Sequence, residues 1–233
     1  MESFNFNYQG EFPESYEQKC PVVILCDVSI SMEGSPIAEL NKGLQAFERD
    51  VQEDDICKAR LEVAVLSFGS SAKVEHDFAL MDEYGMPRLM VNGTTNLEAG
   101  MRTAMEMLDS RKSWYRSTRQ TFYRPYIILI TDGKPNEDPN ATGLTTSIKE
   151  DVQSKKYNFW PIGVDGANME LLNSMACPDV KGSLPAMHMS STNFVKLFKW
   201  LSSSFAKISK SREGDKLDLT PEKENNPFNI EVT

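Results

Sequence analysis

Two stretches of the chain are apolar at every position, and each is followed by an aspartate. The first is Val22 to Cys26, before Asp27, and the second is Tyr126 to Ile130, before Thr131 and Asp132. Uninterrupted apolar runs of this length are typical of strands that are buried on both faces of a parallel sheet. We therefore predict that both stretches are strands and that they lie side by side in the centre of a sheet.

Weaker periodic patterns predict the remaining elements. Stretches in which apolar and polar residues alternate, with turn residues at both ends, indicate strands. Apolar residues spaced three and four positions apart indicate amphipathic helices. The predicted strands are 21–27, 61–68, 72–78, 125–131, 159–164 and 184–189, and the predicted helices are 35–51, 97–108, 144–155, 169–176 and 194–208. Strand 72–78 follows a Gly-Ser-Ser turn, and we expect it to pair antiparallel with strand 61–68 at one edge of the sheet.

The alternation of strands and helices predicts the fold class α/β. We expect a three-layer, Rossmann-like arrangement in which a mostly parallel central sheet has one antiparallel edge strand and carries helices on both faces. Residues 20–210 would make up this domain. Residues 1–19 are predicted to form an irregular N-terminal arm, and the polar residues 211–233 a flexible C-terminal tail.

The charge of the chain argues against one class of partner. The 233 residues carry a formal net charge of -9, whereas proteins that bind nucleic acids usually present a basic face. We therefore expect no nucleic acid as a partner. Residues 111–124 mix cations with aromatic side chains, a combination that can stack on bases. Because this segment is isolated in an acidic chain, a solvated connector is the favoured interpretation.

The same sequence predicts a cytoplasmic protein. No stretch is long enough and apolar enough to span a membrane, and the first 19 residues lack the apolar core of a signal peptide. The four cysteines form no C-x-x-C pair, and we expect reduced thiols at Cys20, Cys26, Cys57 and Cys177. We further expect a monomer with no membrane partner.

Oxygen-bearing side chains cluster where the predicted central strands end. Asp27, Ser29 and Ser31 alternate along the loop after the first strand, and open α/β sheets bind their ligands at this edge. Carboxylate and hydroxyl oxygens suit Mg²⁺, Mn²⁺ and Ca²⁺. Asp132 and the turn Gly93-Thr94-Thr95 can reach the same edge. The alternative is an Asx-turn with a helix cap and no metal.

Three segments, taken in order, resemble the metal-ion-dependent adhesion site (MIDAS) of the von Willebrand factor A (VWA) domain family. They are Asp27-Val-Ser29-Ile-Ser31, Gly93-Thr94-Thr95-Asn96-Leu97 and Thr131-Asp132-Gly133. The resemblance covers residues 20–210 and implies the VWA fold. It also implies that Mg²⁺, or Mn²⁺ or Ca²⁺ in its place, is bound by five residues: Asp27, Ser29, Ser31, Thr95 and Asp132.

One of the three segments, the turn from Gly93 to Leu97, points to a subgroup of the family and also differs from the family pattern at one position. Gly-Thr-Thr-Asn-Leu is similar to the Gly-Gly-Thr-Ser-Leu turn of bacterial tellurite-resistance TerY-like VWA proteins, which implies a stress-response or tellurite-resistance-type system. This chain has Thr94 where the family usually has Gly. We assign the role of the ligand threonine to Thr95, because Leu97 follows it two residues later as in the family pattern.

The resemblance implies a non-catalytic module that binds a protein partner through a metal ion, with the partner offering a carboxylate. Two other functions stay open. A metal-dependent phosphohydrolase would use Asp27 as a nucleophile, but the haloacid-dehalogenase pattern has a second Asp where this chain has Ser29. An extracellular adhesin would need a signal peptide. Because no catalytic set is evident and His76 and His188 lie outside the five residues, we expect no enzymatic activity.

Overall fold

The structure is a computed structural model that describes residues 6, 8, 11, 17–81, 85–212 and 215–228. The strands of this part of the chain are β1 (Cys20–Asp27), β2 (Leu61–Phe68), β3 (Ala72–Leu80), β4 (Tyr126–Thr131), β5 (Asn158–Val164) and β6 (Met187–Met189). They form one sheet in the order β3-β2-β1-β4-β5-β6. Only β3 runs antiparallel to its neighbour among these strands. The predicted adjacency of β1 and β4 is confirmed, and so is the antiparallel edge strand.

Helices cover both faces of the sheet, as predicted. They are α1 (Ser35–Gln52), α2 (Asp55–Arg60), α3 (Leu97–Thr118), α4 (Leu144–Gln153), α5 (Met169–Met175) and α6 (Phe194–Lys210). Successive side chains of a strand point to opposite faces. Val22 and Ile24 of β1 therefore belong to the core cluster beneath α1 and α6, and Val23 and Leu25 to the cluster beneath α3 and α4. The three-layer α/β architecture follows directly from this alternation.

Residues 111–118 of the segment that was predicted to be a solvated connector are instead the second half of α3. Arg111 and Lys112 are buried, together with Trp114 and Tyr115. The guanidinium of Arg111 lies 4.1 Å from the centre of the Trp114 ring, and its Nε donates to Glu62 Oε2 over 3.0 Å. The prediction was wrong because the apolar face of α3 continues through long side chains whose charges are paired inside the fold.

Smaller differences appear at three other places. Asp54 caps the short helix α2, which was not predicted, because its carboxylate accepts hydrogen bonds from the backbone of Ile56 and Cys57. Strand β6 begins only at Met187, after Pro185. Most of the predicted N-terminal arm lies outside the described residues.

None of the described helices is long and apolar enough to cross a membrane.

Residues 215–228, which the sequence predicts to be a flexible tail, lie against the domain. Phe228 forms an antiparallel bridge with Met189 of β6, and its ring stands edge-on to Trp200 at 5.1 Å. Trp200 Nε1 donates to the carbonyl of Leu219 over 2.6 Å, and Asn193 Nδ2 donates to that of Pro227 over 3.0 Å. This segment therefore covers the short edge strand β6 and part of α6.

Candidate functional site

The loops that carry the predicted site residues meet at the carboxyl edge of the sheet. Strands β1 and β4 are parallel neighbours, and Cys26 is paired with Ile130. Asp27 and Thr131 therefore end the two strands at the same level, and Asp132 follows immediately. The loop before α3 reaches the same edge, because the backbone of Ile30 donates to the carbonyl of Gly93 over 2.9 Å.

Asp27 is completely buried, and hydrogen bonds hold both of its carboxylate oxygens. The backbone of Ser29 donates to Oδ1 over 2.9 Å, and the hydroxyl of Thr131 donates to Oδ2 over 2.6 Å. The first of these bonds is the local turn that the sequence left open as an alternative. The second is a contact between two strands, so Asp27 is positioned by more than its own loop.

A chain of hydrogen bonds leads from this loop to the end of β4. The hydroxyl oxygens of Ser29 and Ser31 lie 3.0 Å apart, and the hydroxyl of Ser31 donates to Asp132 Oδ1 over 2.8 Å. Ser29 is buried, whereas Ser31 is exposed and Asp132 is partly exposed. This side of the edge is therefore open to solvent.

The two adjacent threonines face different neighbours. A β-carbon added to Gly133 would lie 3.0 Å from Thr95 Oγ1 and 3.2 Å from Asp27 Oδ2, so these oxygens lie on the same side of the turn. Thr94 is exposed, and its hydroxyl accepts from Asn136 Nδ2 over 2.9 Å. The structure thus brings Thr95, and not Thr94, next to Asp27. All five predicted residues come together at one edge of the sheet.

The two carboxylates carry charge that the described residues do not neutralise. Burial raises the pKa of Asp27, although hydrogen bonds from Ser29 and Thr131 oppose the increase. Burial also raises the pKa of Asp132; the bond from Ser31 opposes this, and the charges of Asp27 and Asp165 reinforce it. Neither Asp27 nor Asp132 forms an ion pair with a described cation. A cation at this edge would relieve the repulsion.

Two residues that act on the carboxylates were not predicted from the sequence. Thr131 donates to Asp27, and Asp165 contributes to the raised pKa of Asp132. A signal existed for both, since Thr131 is the last residue of one strand and Asp165 follows the end of another. Thr131 belongs to the segment Thr131-Asp132-Gly133 but was not one of the five residues assigned to the metal, and Asp165 belongs to none of the three segments.

The side chains at this edge fit a hard divalent cation better than zinc. Within the described part of the chain, no three His, Cys, Asp or Glu side chains form a group that could hold a metal ion. The candidate set has only two carboxylates, which are accompanied by the hydroxyls of two serines and a threonine. Magnesium accepts few protein oxygens because it keeps several waters, whereas structural zinc sites use nitrogen and sulfur.

The fold and this edge define a class of protein: an α/β domain with carboxylate and hydroxyl side chains grouped where two central parallel strands end. A family model described as the von Willebrand factor type A domain matches residues 22–199. The chain therefore belongs to the von Willebrand factor type A family. A comparison with curated proteins gives no match.

Solved structures of three proteins show the same fold at low sequence identity. A von Willebrand factor type A protein from Catenulispora acidiphila has a TM-score of 0.58 at 16% identity, covering 81% of this chain and 43% of its own. The von Willebrand factor domain of the type V pili tip protein Mfa5 from Porphyromonas gingivalis has a TM-score of 0.57 at 10% identity, covering 86% and 99%. The pilus adhesin SpaC from Lactobacillus rhamnosus GG has a TM-score of 0.60 at 15% identity, covering 82% and 31%. The chain therefore spans less than half the length of two of these three proteins.

Proposed function

We propose that this chain is a non-catalytic module that binds a protein partner in a metal-dependent way. Mg²⁺ is the favoured ion, with Mn²⁺ or Ca²⁺ as alternatives, and the ligands are Asp27, Ser29, Ser31, Thr95 and Asp132. The observation that carries the proposal is the complete burial of the Asp27 carboxylate without an ion pair among the described residues. A buried charge of this kind is unfavourable unless it is paired or coordinates a metal.

Each residue of the set has a separate task in this proposal. Ser29 and Thr131 hold the Asp27 carboxylate in place through their hydrogen bonds. The hydroxyls of Ser29, Ser31 and Thr95 add no negative charge to the set. A bound divalent cation would supply a positive charge that attracts a carboxylate of the partner. Ser31 and Asp132 line the solvent-exposed side, where that carboxylate would approach.

The absence of enzymatic activity is part of this proposal. The supporting argument is that this chain has Ser29 where the haloacid-dehalogenase pattern has a second Asp, so no carboxylate lies two residues after Asp27 to act as the general acid and base. A phosphatase assay with Mg²⁺ tests this part. Turnover that Asp27→Asn abolishes would identify the chain as a phosphohydrolase instead.

A bacterial stress-response or tellurite-resistance-type system, a cytoplasmic location and a monomeric state complete the proposal. The turn from Gly93 to Leu97 supports the first, and the free, buried state of all four cysteines supports a reducing compartment. An extracellular adhesin is the second candidate, since two of the similar solved structures are pilus proteins. Detection of the native protein in the secreted or surface fraction of its cells would favour the adhesin.

Calorimetry on protein that has been stripped with EDTA tests the metal site directly. Wild-type protein should bind one Mg²⁺ or Mn²⁺, and Asp132→Asn should abolish binding or weaken it by at least about tenfold, the equivalent of one lost charge-assisted contact. Glu137→Gln is the matched control, because Glu137 is an exposed acid in the same loop. Tighter binding of Zn²⁺, or equal binding by both variants, would contradict the proposed site.

A second experiment tests the partner. Immobilised wild-type protein should retain the same proteins from lysate of its own cells in Mg²⁺ and release them in EDTA, and immobilised Asp132→Asn should retain none of them. Retention that is equal in Mg²⁺ and EDTA would show that the interaction does not depend on the metal.

A further inference from the structure

A large cavity lies at the end of the molecule opposite the candidate metal site. Its volume is about 1170 Å³, and Tyr126 and Asn158, which begin β4 and β5, form part of its floor. Because Tyr126 and Thr131 are the first and last residues of β4, this part of the floor is about 17 Å from the carboxyl end of that strand. Pockets for small molecules commonly measure about 300–1,000 Å³, so this cavity is large enough for an organic ligand.

Aromatic side chains and the C-terminal segment form the walls of the cavity. The aromatic lining residues are Phe122, Tyr123, Tyr126, Trp200 and Phe228. The segment from residue 215 to 228 closes one side, where Trp200 donates its indole N–H to the carbonyl of Leu219. These walls offer ring faces and edges against which a flat apolar body can pack.

Three cations line the cavity without an ion pair among the described residues: Arg124, Lys181 and Arg212. Arg124 uses only Nη1, which donates to Asn158 Oδ1 over 3.1 Å and to the carbonyl of Lys181 over 2.9 Å. Its Nε and Nη2 groups make no hydrogen bond to the described part of the chain. The guanidinium is therefore held in place and still has donors available.

The two acids that line the cavity are already engaged with their own segment. Asp215 Oδ2 accepts from the backbone of Arg212 over 2.7 Å, and Asp218 Oδ1 accepts from the backbone of Thr220 over 2.9 Å. The chain as a whole is acidic, with 34 acidic and 25 basic side chains, whereas the cavity lining has three cations and two acids. The lining therefore has a net positive charge and complements an anion.

We propose that this cavity binds a small organic anion with a flat aromatic or apolar body. The aromatic walls pack against the body of the ligand, and Arg124 with Lys181 binds its acidic group, as a guanidinium does with carboxylates, sulfonates and phosphates. This inference is independent of the metal-dependent function, because none of the five candidate metal ligands lines the cavity.

A pair of fluorescent probes with the same aromatic skeleton tests the proposal. Anilinonaphthalene sulfonate carries an anionic group, and phenylnaphthylamine is its neutral counterpart. Full-length wild-type protein should bind the sulfonate saturably at one site and more tightly than the neutral probe. Arg124→Gln and Lys181→Gln should each weaken binding of the sulfonate by about tenfold, as expected for a lost charge-assisted contact. Both variants should bind the neutral probe as tightly as wild type does.

Two further variants separate binding in the cavity from binding elsewhere. Leu184→Trp narrows the cavity and should weaken the binding of both probes, because Leu184 is part of the lining. Arg116→Gln is the matched control, since Arg116 is an exposed arginine outside the lining, and it should change neither. Sulfonate binding that Arg124→Gln and Lys181→Gln leave unchanged, or that Arg116→Gln weakens equally, overturns the proposal. So does equal binding of the two probes to wild-type protein.

Discussion

Thr131 donates its hydroxyl to Oδ2 of Asp27 over 2.6 Å, and this bond joins the ends of the two central strands. It holds a completely buried carboxylate that has no ion pair among the described residues. The hydroxyl of Thr131 in β4 therefore fixes the orientation of the Asp27 carboxylate in β1.

Replacing Thr131 with Val should destabilise the protein in EDTA by about 1–3 kcal/mol, because a buried charged acceptor loses its donor while the shape is kept. Urea unfolding measures the change, and calorimetry should show weaker Mg²⁺ binding. Thr145→Val is the matched control, since Thr145 is buried and its hydroxyl has no partner in the described structure. A Thr131→Val variant as stable as this control would show that the bond is energetically unimportant.

Removing the charge of Asp27 should change how stability depends on pH. Burial raises the pKa of this carboxyl in the folded state, so the folded protein binds more protons than the unfolded one as pH rises above the unfolded value of about 3.9. The free energy of unfolding in EDTA should therefore fall as pH rises from the unfolded pKa to the raised folded pKa of Asp27. Asp27→Asn lacks this charge and should be at least as stable as wild type at neutral pH.

Urea midpoints in EDTA across this pH range measure the effect. Magnesium should then stabilise wild-type protein and leave Asp27→Asn unchanged, since ligand binding stabilises the state that binds it. If Asp27→Asn instead unfolds or aggregates in EDTA, the carboxylate has a structural role in the fold rather than one in binding metal.

Removing Arg111 should be strongly destabilising. Its side chain is only 6% exposed and pairs with Glu62, whose side chain is 4% exposed. Arg111→Met leaves this carboxylate buried without its cation, although the hydroxyl of Tyr115 still donates to it. Leaving a buried charge without its counter-ion typically costs about 3–5 kcal/mol. Adding Glu62→Gln should recover much of the loss. The control is Arg102→Met, which breaks a more exposed pair with Glu98 on the same helix and should cost at most about 0.5 kcal/mol.

A double-mutant cycle on the Arg111 and Glu62 substitutions measures this coupling by urea unfolding. Additive effects would contradict the interpretation, because they would mean that the buried pair contributes no interaction energy and that Arg111 acts through packing alone.

The native protein should resist thiol reagents at about pH 8, since only the thiolate reacts. All four cysteines are buried and free. Burial raises the pKa of Cys57 to about 12 and the pKa values of Cys20 and Cys26 further. Titration with a chromogenic disulfide should detect no fast thiol in native protein and all four in guanidinium chloride. Rapid labelling of a native thiol would show that the fold opens locally at that cysteine.

Hydrophobic pattern alone was sufficient to predict the central strands, the antiparallel edge strand and the layers of helices. A strand that is buried on one face has alternating apolar and polar residues, and a strand that is buried on both faces has an uninterrupted apolar run. Both patterns can be seen in a short stretch of sequence without reference to distant residues. That Asp27 and Asp132 lie close together also followed from the sequence, since residues that end adjacent parallel strands must meet at the same edge. The complete set of five candidate ligands, with Thr95, came from the resemblance to the family pattern. Their role as metal ligands stays a prediction.

Contacts between distant parts of the chain decided the rest. Whether Arg111 is solvated or buried depends on Glu62, which is 49 residues away in the sequence. The orientation of Thr94 and Thr95 is settled by Asn136, which accepts from the backbone of one and donates to the hydroxyl of the other. The polar segment ending at Phe228 is held by the side chain of Trp200 in α6 and by a backbone bridge to Met189 in β6. Local periodicity cannot encode such choices, because each is made by a partner that only folding brings near.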